Sequence, residues 1–147
     1  MSLPTPVYPD PPPGYEPVFP QSGFNAYAGP IFRRSDGDHF LFTVQLQHLN
    51  GGGALHGGMA MGIADVVMGR TVRLTIQPAK AATISLNCDF IAGAKLGDQV
   101  IGRAQITRRT RTIVFISAQL TVADKPILTA TGIWKIVDQG DGDSTAS

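Results

Sequence analysis

Cysteine is nearly absent from the sequence. Cys88 stands alone, which excludes an internal disulfide and any zinc or iron–sulfur site built on several thiolates, and makes a reducing, cytoplasmic location the expectation. Charge is equally sparse. Asp, Glu, Lys and Arg make up 16% of the chain, and 12 basic against 11 acidic residues leave a net charge of +1, so the broad cationic surface of a nucleic-acid or anionic-membrane binder is missing. Long apolar runs are missing too. The best candidate, Leu55 to Met68, is interrupted by Asp65 and followed by Arg70, short of the roughly 18 residues a membrane span requires. The opening Met1-Ser2-Leu3-Pro4 has neither the basic patch nor the apolar core of a secretion signal. His39, His48 and His56 lack compact ligand spacing, so a metal site is not expected. What the chain does have is 43% hydrophobic residues in 147 positions, material for one core in one domain.

Eight prolines, at positions 4, 6, 9, 11, 12, 13, 17 and 20, keep the first twenty residues from running as a helix or a central strand. Residues 1–29 therefore read as an N-terminal arm, with Tyr8, Tyr15 and Phe19 available for docking on the domain. Residues 138–147 read as a polar tail. Between them, over 30–137, the pattern is regular. Phe40, Phe42, Val44 and Leu46 alternate with Leu41, Thr43, Gln45 and Gln47, the signature of a strand over 39–48, which Asn50-Gly51-Gly52-Gly53 then breaks. From Gly57 to Ile76 there is no proline, and Met59, Ile63, Val66, Val67, Arg70 and Leu74 recur at helical spacing until Pro78. Four β-rich runs follow, at 81–91, 99–108, 111–122 and 126–137. One strand, one long helix and a four-strand meander predict an α+β domain whose sheet wraps the helix.

Within Gly57–Gly69 every residue is apolar or glycine except Asp65. An ionised carboxylate on such a helix is costly without partners. Its neighbours at three and four residues, Met61, Gly62, Met68 and Gly69, supply none and leave a groove that a ligand or a second chain can enter. The helix begins at Leu55-His56-Gly57-Gly58, where glycines expose the free N–H groups of the first turn and the helix dipole favours negative charge. That is the makeup of an oxyanion hole. Gly57 and Asp65 are eight residues apart, about 12 Å along the axis. One helix cannot bring both to one carbon; two antiparallel copies across a two-fold axis can, so a homodimer is expected.

Asn50, Gly53, Leu55-His56-Gly57-Gly58 and Ile63-Ala64-Asp65 together resemble the signature of hot-dog-fold acyl-CoA thioesterases of the phenylacetate-degradation (PaaI-like) type. The resemblance covers about residues 30–137. It implies a curved antiparallel sheet around a long central helix, dimers and usually tetramers, and sites at the dimer interface. It implies Asp65 as the catalytic carboxylate, the Gly57 amide as oxyanion donor, Asn50 as a side-chain donor near the thioester carbonyl, and His56 as the histidine of the turn. A hydroxyl on the strand after the helix would help hold water. Thr83 and Ser85 both qualify and, being two apart, are expected on one strand face, with Thr83 favoured from its position relative to Asn87.

The reaction so implied is hydrolysis of an aryl- or medium-chain acyl-CoA, with coenzyme A as part of the substrate. Asp65 would act as general base on water or attack directly, and the Gly57 amide would stabilise the tetrahedral oxyanion. Gly58, Met61, Met68 and Ser85 are candidate substrate contacts, with Met59 and Phe90 as further pocket-lining side chains. Arg108, Arg109 and Arg111 are candidates for the phosphates of coenzyme A, whereas Arg70 and Arg73 read as structural cations late in the helix. Cys88 shares an alternation with Ala82, Ile84, Leu86 and Phe90 and reads as core. Two alternatives stand beside this. A non-catalytic acyl-CoA-binding module would leave Asp65 idle, and a hydratase or dehydratase usually carries a downstream histidine, which is absent after His56.

Overall fold

The computed structural model describes residues 9–18 and 23–137. Tyr8, Phe19 and the tail from 138 onward lie outside the described residues. The chain runs β1 (Tyr15–Pro17), α1 (Gly23–Ala28), β2 (Ile31–Arg34), β3 (Phe40–Thr43), a 3-10 turn at Leu46–His48, α2 (Gly57–Ile76), β4 (Lys80–Phe90), β5 (Gln99–Arg109), β6 (Ile113–Val122) and β7 (Lys125–Val137). Among the described residues the strands form one antiparallel sheet in the order β1-β2-β3-β5-β6-β7-β4. This is the expected hot-dog arrangement, with the sheet not closed.

The long helix spans the expected residues, about 30 Å of it, and it packs on β4 to β7. Ala60, Ile63, Ala64, Val67, Met68, Val72 and Ile76 form its buried stripe, the i, i+3, i+4 spacing of a helix lying on a sheet. Close approach is permitted at Gly102 and Gly132. A Cβ on Gly102 would lie 2.9 Å from Val67 Cγ2, and one on Gly132 would stand 3.0 Å from Met68 Cε and 3.2 Å from the Ser85 carbonyl.

The expected strand over 39–48 is cut short. Pairing ends at Thr43, and although Val44 stays buried the chain turns at Leu46, which is 73% exposed. The competing force is a side chain. His48, buried at 1% exposure, accepts the Gln45 N–H on Nδ1 at 2.9 Å and donates Nε2–H to the Ala28 carbonyl at 2.6 Å, which bends the backbone into a turn.

The proline-rich segment contributes an edge strand, β1, where Pro17 removes no interior ladder bond. Tyr15 docks as expected: its hydroxyl meets His39 Nε2 at 2.6 Å. The α1 helix and β2 were not expected from the pattern. Both are too short to show a period, at 6 and 4 residues.

β4 also departs from expectation. Thr83 pairs with Trp134 but Ser85 pairs with Ile133, so a bulge absorbs Ile84. The alternation reverses across it. Thr83 shares the helix-facing side with buried Trp134, whereas Ser85 shares the outer side with Ile133. The two hydroxyls do not share a face. The same reversal leaves Ile84 at 55% exposure while Leu86 and Cys88 pack against the core.

Candidate active site

The start of α2 is built locally. His56 is its N-cap, with extended backbone, and its Nδ1 accepts the Gly58 N–H at 2.8 Å. The Ala60 N–H bonds the His56 carbonyl at 2.9 Å. Among the described residues the Gly57 and Met59 N–H groups are left without acceptors, which makes the Gly57 amide a donor in waiting at the positive end of the dipole. The cap also assigns His56: a ring nitrogen that accepts a backbone N–H must be unprotonated, so Nε2 carries the proton.

Asn50 holds the preceding loop. Its Oδ1 accepts from the Gly52 N–H at 2.9 Å and the Ala54 N–H at 3.0 Å, and its own N–H reaches the Ala54 carbonyl at 2.7 Å. The carboxamide oxygen is therefore occupied. The NH2 group has no partner among the described residues and is the end available to a ligand. Gly53, at φ +84°, closes the turn. Phe90, 56% exposed, lays its ring against the helix start, 3.3 Å from where a Cβ on Gly57 would stand.

Two turns along the helix, Asp65 is half-buried and its Oδ1 accepts the Thr83 hydroxyl proton at 2.9 Å. The bulge at Ile84 aims that hydroxyl: continued in register with Leu86 and Cys88, the strand would turn Thr83 outward. Ser85 instead faces away, its Oγ receiving Asn87 Nδ2 at 3.3 Å. Beside Asp65 and Thr83 opens a cleft of about 220 Å3, walled by Val18, Asn25, Arg70, Arg73, Ala81 and Trp134.

Several expected contacts fall elsewhere. Met68 lies in the core at 0% exposure and presents no surface to a ligand, because it points from the helix into the sheet. Met61 and Gly58 stay on the uncovered face of α2. Arg108, Arg109 and Arg111 are exposed at the β5–β6 hairpin. Arg109, Val114, Trp134 and Thr83 form one row across the sheet, which puts the Arg109 backbone three strands, about 14 Å, from Thr83. Within one protomer these arginines do not join Asp65.

Arg70 and Arg73, read from sequence as structural, stand in the wall of the Asp65 cleft. Burial, then the charges of Arg73 and Arg33, push the Arg70 guanidinium below its ordinary value, and only Glu16 opposes them. Helix periodicity hides this placement. Five residues separate Asp65 from Arg70, about 140° around the axis, so no spacing rule pairs them.

A long helix on an antiparallel sheet, carrying a lone carboxylate held by a strand hydroxyl and unpaired amides at its glycine start, defines a hot-dog hydrolase. Comparison with known proteins agrees. Residues 52–128 match the Thioesterase superfamily, and the chain belongs to that family of thioester hydrolases. A Pseudomonas aeruginosa protein named as an esterase is 28% identical over 129 residues, 85% of this chain and 96% of that one. Mouse acyl-coenzyme A thioesterase 13 is 30% identical over 78 residues, 53% of this chain and 56% of its own length. A solved phenylacetic acid degradation-related protein of Ralstonia eutropha superposes with a TM-score of 0.63 at 26% identity, over 78% of this chain and 81% of that one. No helix among the described residues is long and apolar enough to cross a membrane.

Proposed function

We propose that the chain hydrolyses an aryl- or medium-chain acyl-CoA at a site shared between two copies of itself. Asp65 of one copy is the acid–base or nucleophilic carboxylate and Gly57 of the other is the oxyanion donor. The observation that carries this is the Thr83–Asp65 hydrogen bond at 2.9 Å in an open cleft, on the same helix as an unpaired Gly57 amide that lies about 12 Å away along the axis. Support for coenzyme A comes from the acyl-coenzyme A thioesterase among the relatives. Coenzyme A is then part of the substrate and no further cofactor is needed.

Thr83 holds one carboxylate oxygen, leaving the other to take a proton from water. That water attacks the thioester carbon. The carbonyl oxygen becomes an oxyanion facing the Gly57 N–H and the Asn50 NH2; the C–S bond then breaks, and the leaving thiolate takes the proton back from Asp65. In the nucleophilic variant Asp65 itself attacks, the thiolate leaves, and water hydrolyses the mixed anhydride. Each amide donor of this kind is worth about 10²–10³ in rate. His56 serves as the cap that orients the first turn. The uncovered face of α2, with Gly58 exposed and Met61 only partly buried, and the free edge of β4 are the surfaces a second copy would cover, with a tetramer as a further assembly.

Mixing two inactive variants tests the shared site. Asp65→Asn removes the carboxylate. Gly57→Pro removes the N–H at the first helical position, where proline is accommodated. Refolded together, the two should regain about a quarter of native thiol release from acyl-CoA, because half the dimers are mixed and each carries one intact site. Recovery no greater than the two variants give separately would exclude a site built across two chains.

A further inference from the structure

The Asp65 cleft carries cationic groups that no ion pair among the described residues balances. Arg70 Nε is buried without a hydrogen-bond partner among the described residues. No carboxylate among the described residues lies within ion-pair distance of Arg70 or Arg73, and the nearby Glu16 is already engaged by Arg33 at 3.1 Å. Asp65 does not fill the role, since the bond it makes is to Thr83. Arg70 is half-buried and keeps its proton at any working pH, so an anionic acceptor entering the cleft would meet a guanidinium with donors to spare. The groove is lined otherwise by Val18, Val66, Ala81 and Trp134, which offer apolar surface beside Asp65 and these arginines, and by the polar Asn25 and Thr83.

We propose that Arg70, seconded by Arg73, receives an anionic oxygen at the far end of the acyl group, so that the preferred substrate is a carboxyacyl thioester rather than a plain fatty acyl one. This rests on the hydrolase function proposed above and names its substrate class. The helix rise places Arg70 about 7.5 Å and Arg73 about 12 Å beyond Asp65 along the axis. A short dicarboxylic chain spans that interval, with its methylenes against Trp134 and Ala81 and its carboxylate across the planar fork of Arg70. The phosphates of coenzyme A are the other source of anionic oxygen. They fit less well. A cleft of about 220 Å3 is small for a nucleotide, whereas the exposed arginines of the β5–β6 hairpin stand in open solvent.

The test compares adipyl-CoA with hexanoyl-CoA, equal in chain length and differing in the terminal carboxylate. The native protein should favour adipyl-CoA by about 10- to 100-fold in kcat/KM, chiefly through KM, the range expected of a charge-assisted bidentate contact. In Arg70→Met, which keeps an apolar stem, the ratio should fall to within about 3-fold of unity. Arg70→Lys, with charge but no fork, should fall between, and Arg73→Gln should show a smaller drop. The same ratio measured on the N-acetylcysteamine thioesters, which lack phosphate, should persist. A native ratio near one, a ratio that Arg70→Met leaves unchanged, or a preference that vanishes on the phosphate-free thioesters would each overturn the proposal. Hydrolysis of hexanoyl-CoA that is lost in Asp65→Asn separates this from the hydrolase reading. If neither thioester turns over, calorimetric binding of adipyl-CoA and hexanoyl-CoA to the native protein reads the same preference as a ratio of Kd values, and equal affinities would overturn it.

Discussion

The start of α2 and its later turns acquire polarity by opposite means. At the start, the polar groups are backbone amides. They are exposed because Gly57 and Gly58 carry no side chain, and they are held in place by neighbours in sequence: His56 caps Gly58 and Asn50 closes the loop through Gly52 and Ala54. Further along, the polar groups are side chains, and each depends on something distant. Asp65 is oriented by Thr83, 18 residues away, and Arg70 shares its cleft with Val18 and Asn25 from the N-terminal arm and Trp134 from β7. Local hydrogen bonds suffice to present a donor. A carboxylate on an apolar helix needs the tertiary structure to supply its partner, because a helix offers no donor along its own length.

The largest effects should come from the chemical groups themselves. Asp65→Asn should lower turnover of an acyl-CoA by about 10²–10⁴-fold, the span of an acid–base group, while the circular dichroism spectrum stays native. Gly57→Pro strikes the other half. His56 already has the extended backbone that a residue before proline requires, at φ −64° and ψ 134°, so the helix should start as before. Thiol release should drop by about 10²–10³-fold for the lost donor, with the Phe90 ring yielding slightly. If Gly57→Pro left the rate intact, the start of α2 would be no more than a turn.

A second pair of changes probes how the distant half is aimed. Thr83→Val removes the hydrogen bond to Asp65 and should cost about tenfold in kcat, the worth of one bond to a charged group. Deleting Ile84 removes the bulge but leaves Thr83 opposite Trp134 and Ser85 opposite Ile133 in one regular register, so Thr83 should keep the helix-facing side and kcat should stay within a few-fold of native. A loss in the deletion as large as that of Thr83→Val would show that the bulged backbone does more than set which hydroxyl meets Asp65.

The smallest effect concerns His48, which joins the Ala28 carbonyl at the end of α1 to the turn before α2. Burial pushes its imidazole below the ordinary value near 6.5. The unfolded chain therefore takes up a proton that the folded chain resists, so stability should be greatest above about pH 6.5 and decline as pH falls below it. Melting temperatures at pH 8 and pH 5 should differ less in His48→Gln than in the native protein.

Much of the architecture was legible because burial leaves a period. The helix over Gly57–Ile76 was read to its ends, and the four later strands lie within two residues of their expected bounds. What escaped notice was short or broke the period. β2 and α1 are too brief to repeat, the strand beginning at Phe40 yields to His48, and the bulge at Ile84 reverses an alternation that had placed Ser85 beside Thr83. Among the candidate site residues, Asp65 stood out by its charge and Gly57 and Asn50 by their loop. Met68 lies in the core and not in the site, because an apolar helix does not announce which of its sides meets the sheet, and Arg70 gives no signal because its position follows neither a helical nor a strand spacing from Asp65.

The sequence by itself determined the elements and the local ends of α2: periodicity, proline and glycine act over a few residues, and so does a cap such as His56. Only the tertiary structure decided that Thr83 rather than Ser85 meets Asp65, that the arm walls the cleft, and that Arg70 enters it. Those placements depend on register and on contacts between residues far apart in the chain, and a single slip or bulge, with no trace in composition, exchanges one face of a strand for the other.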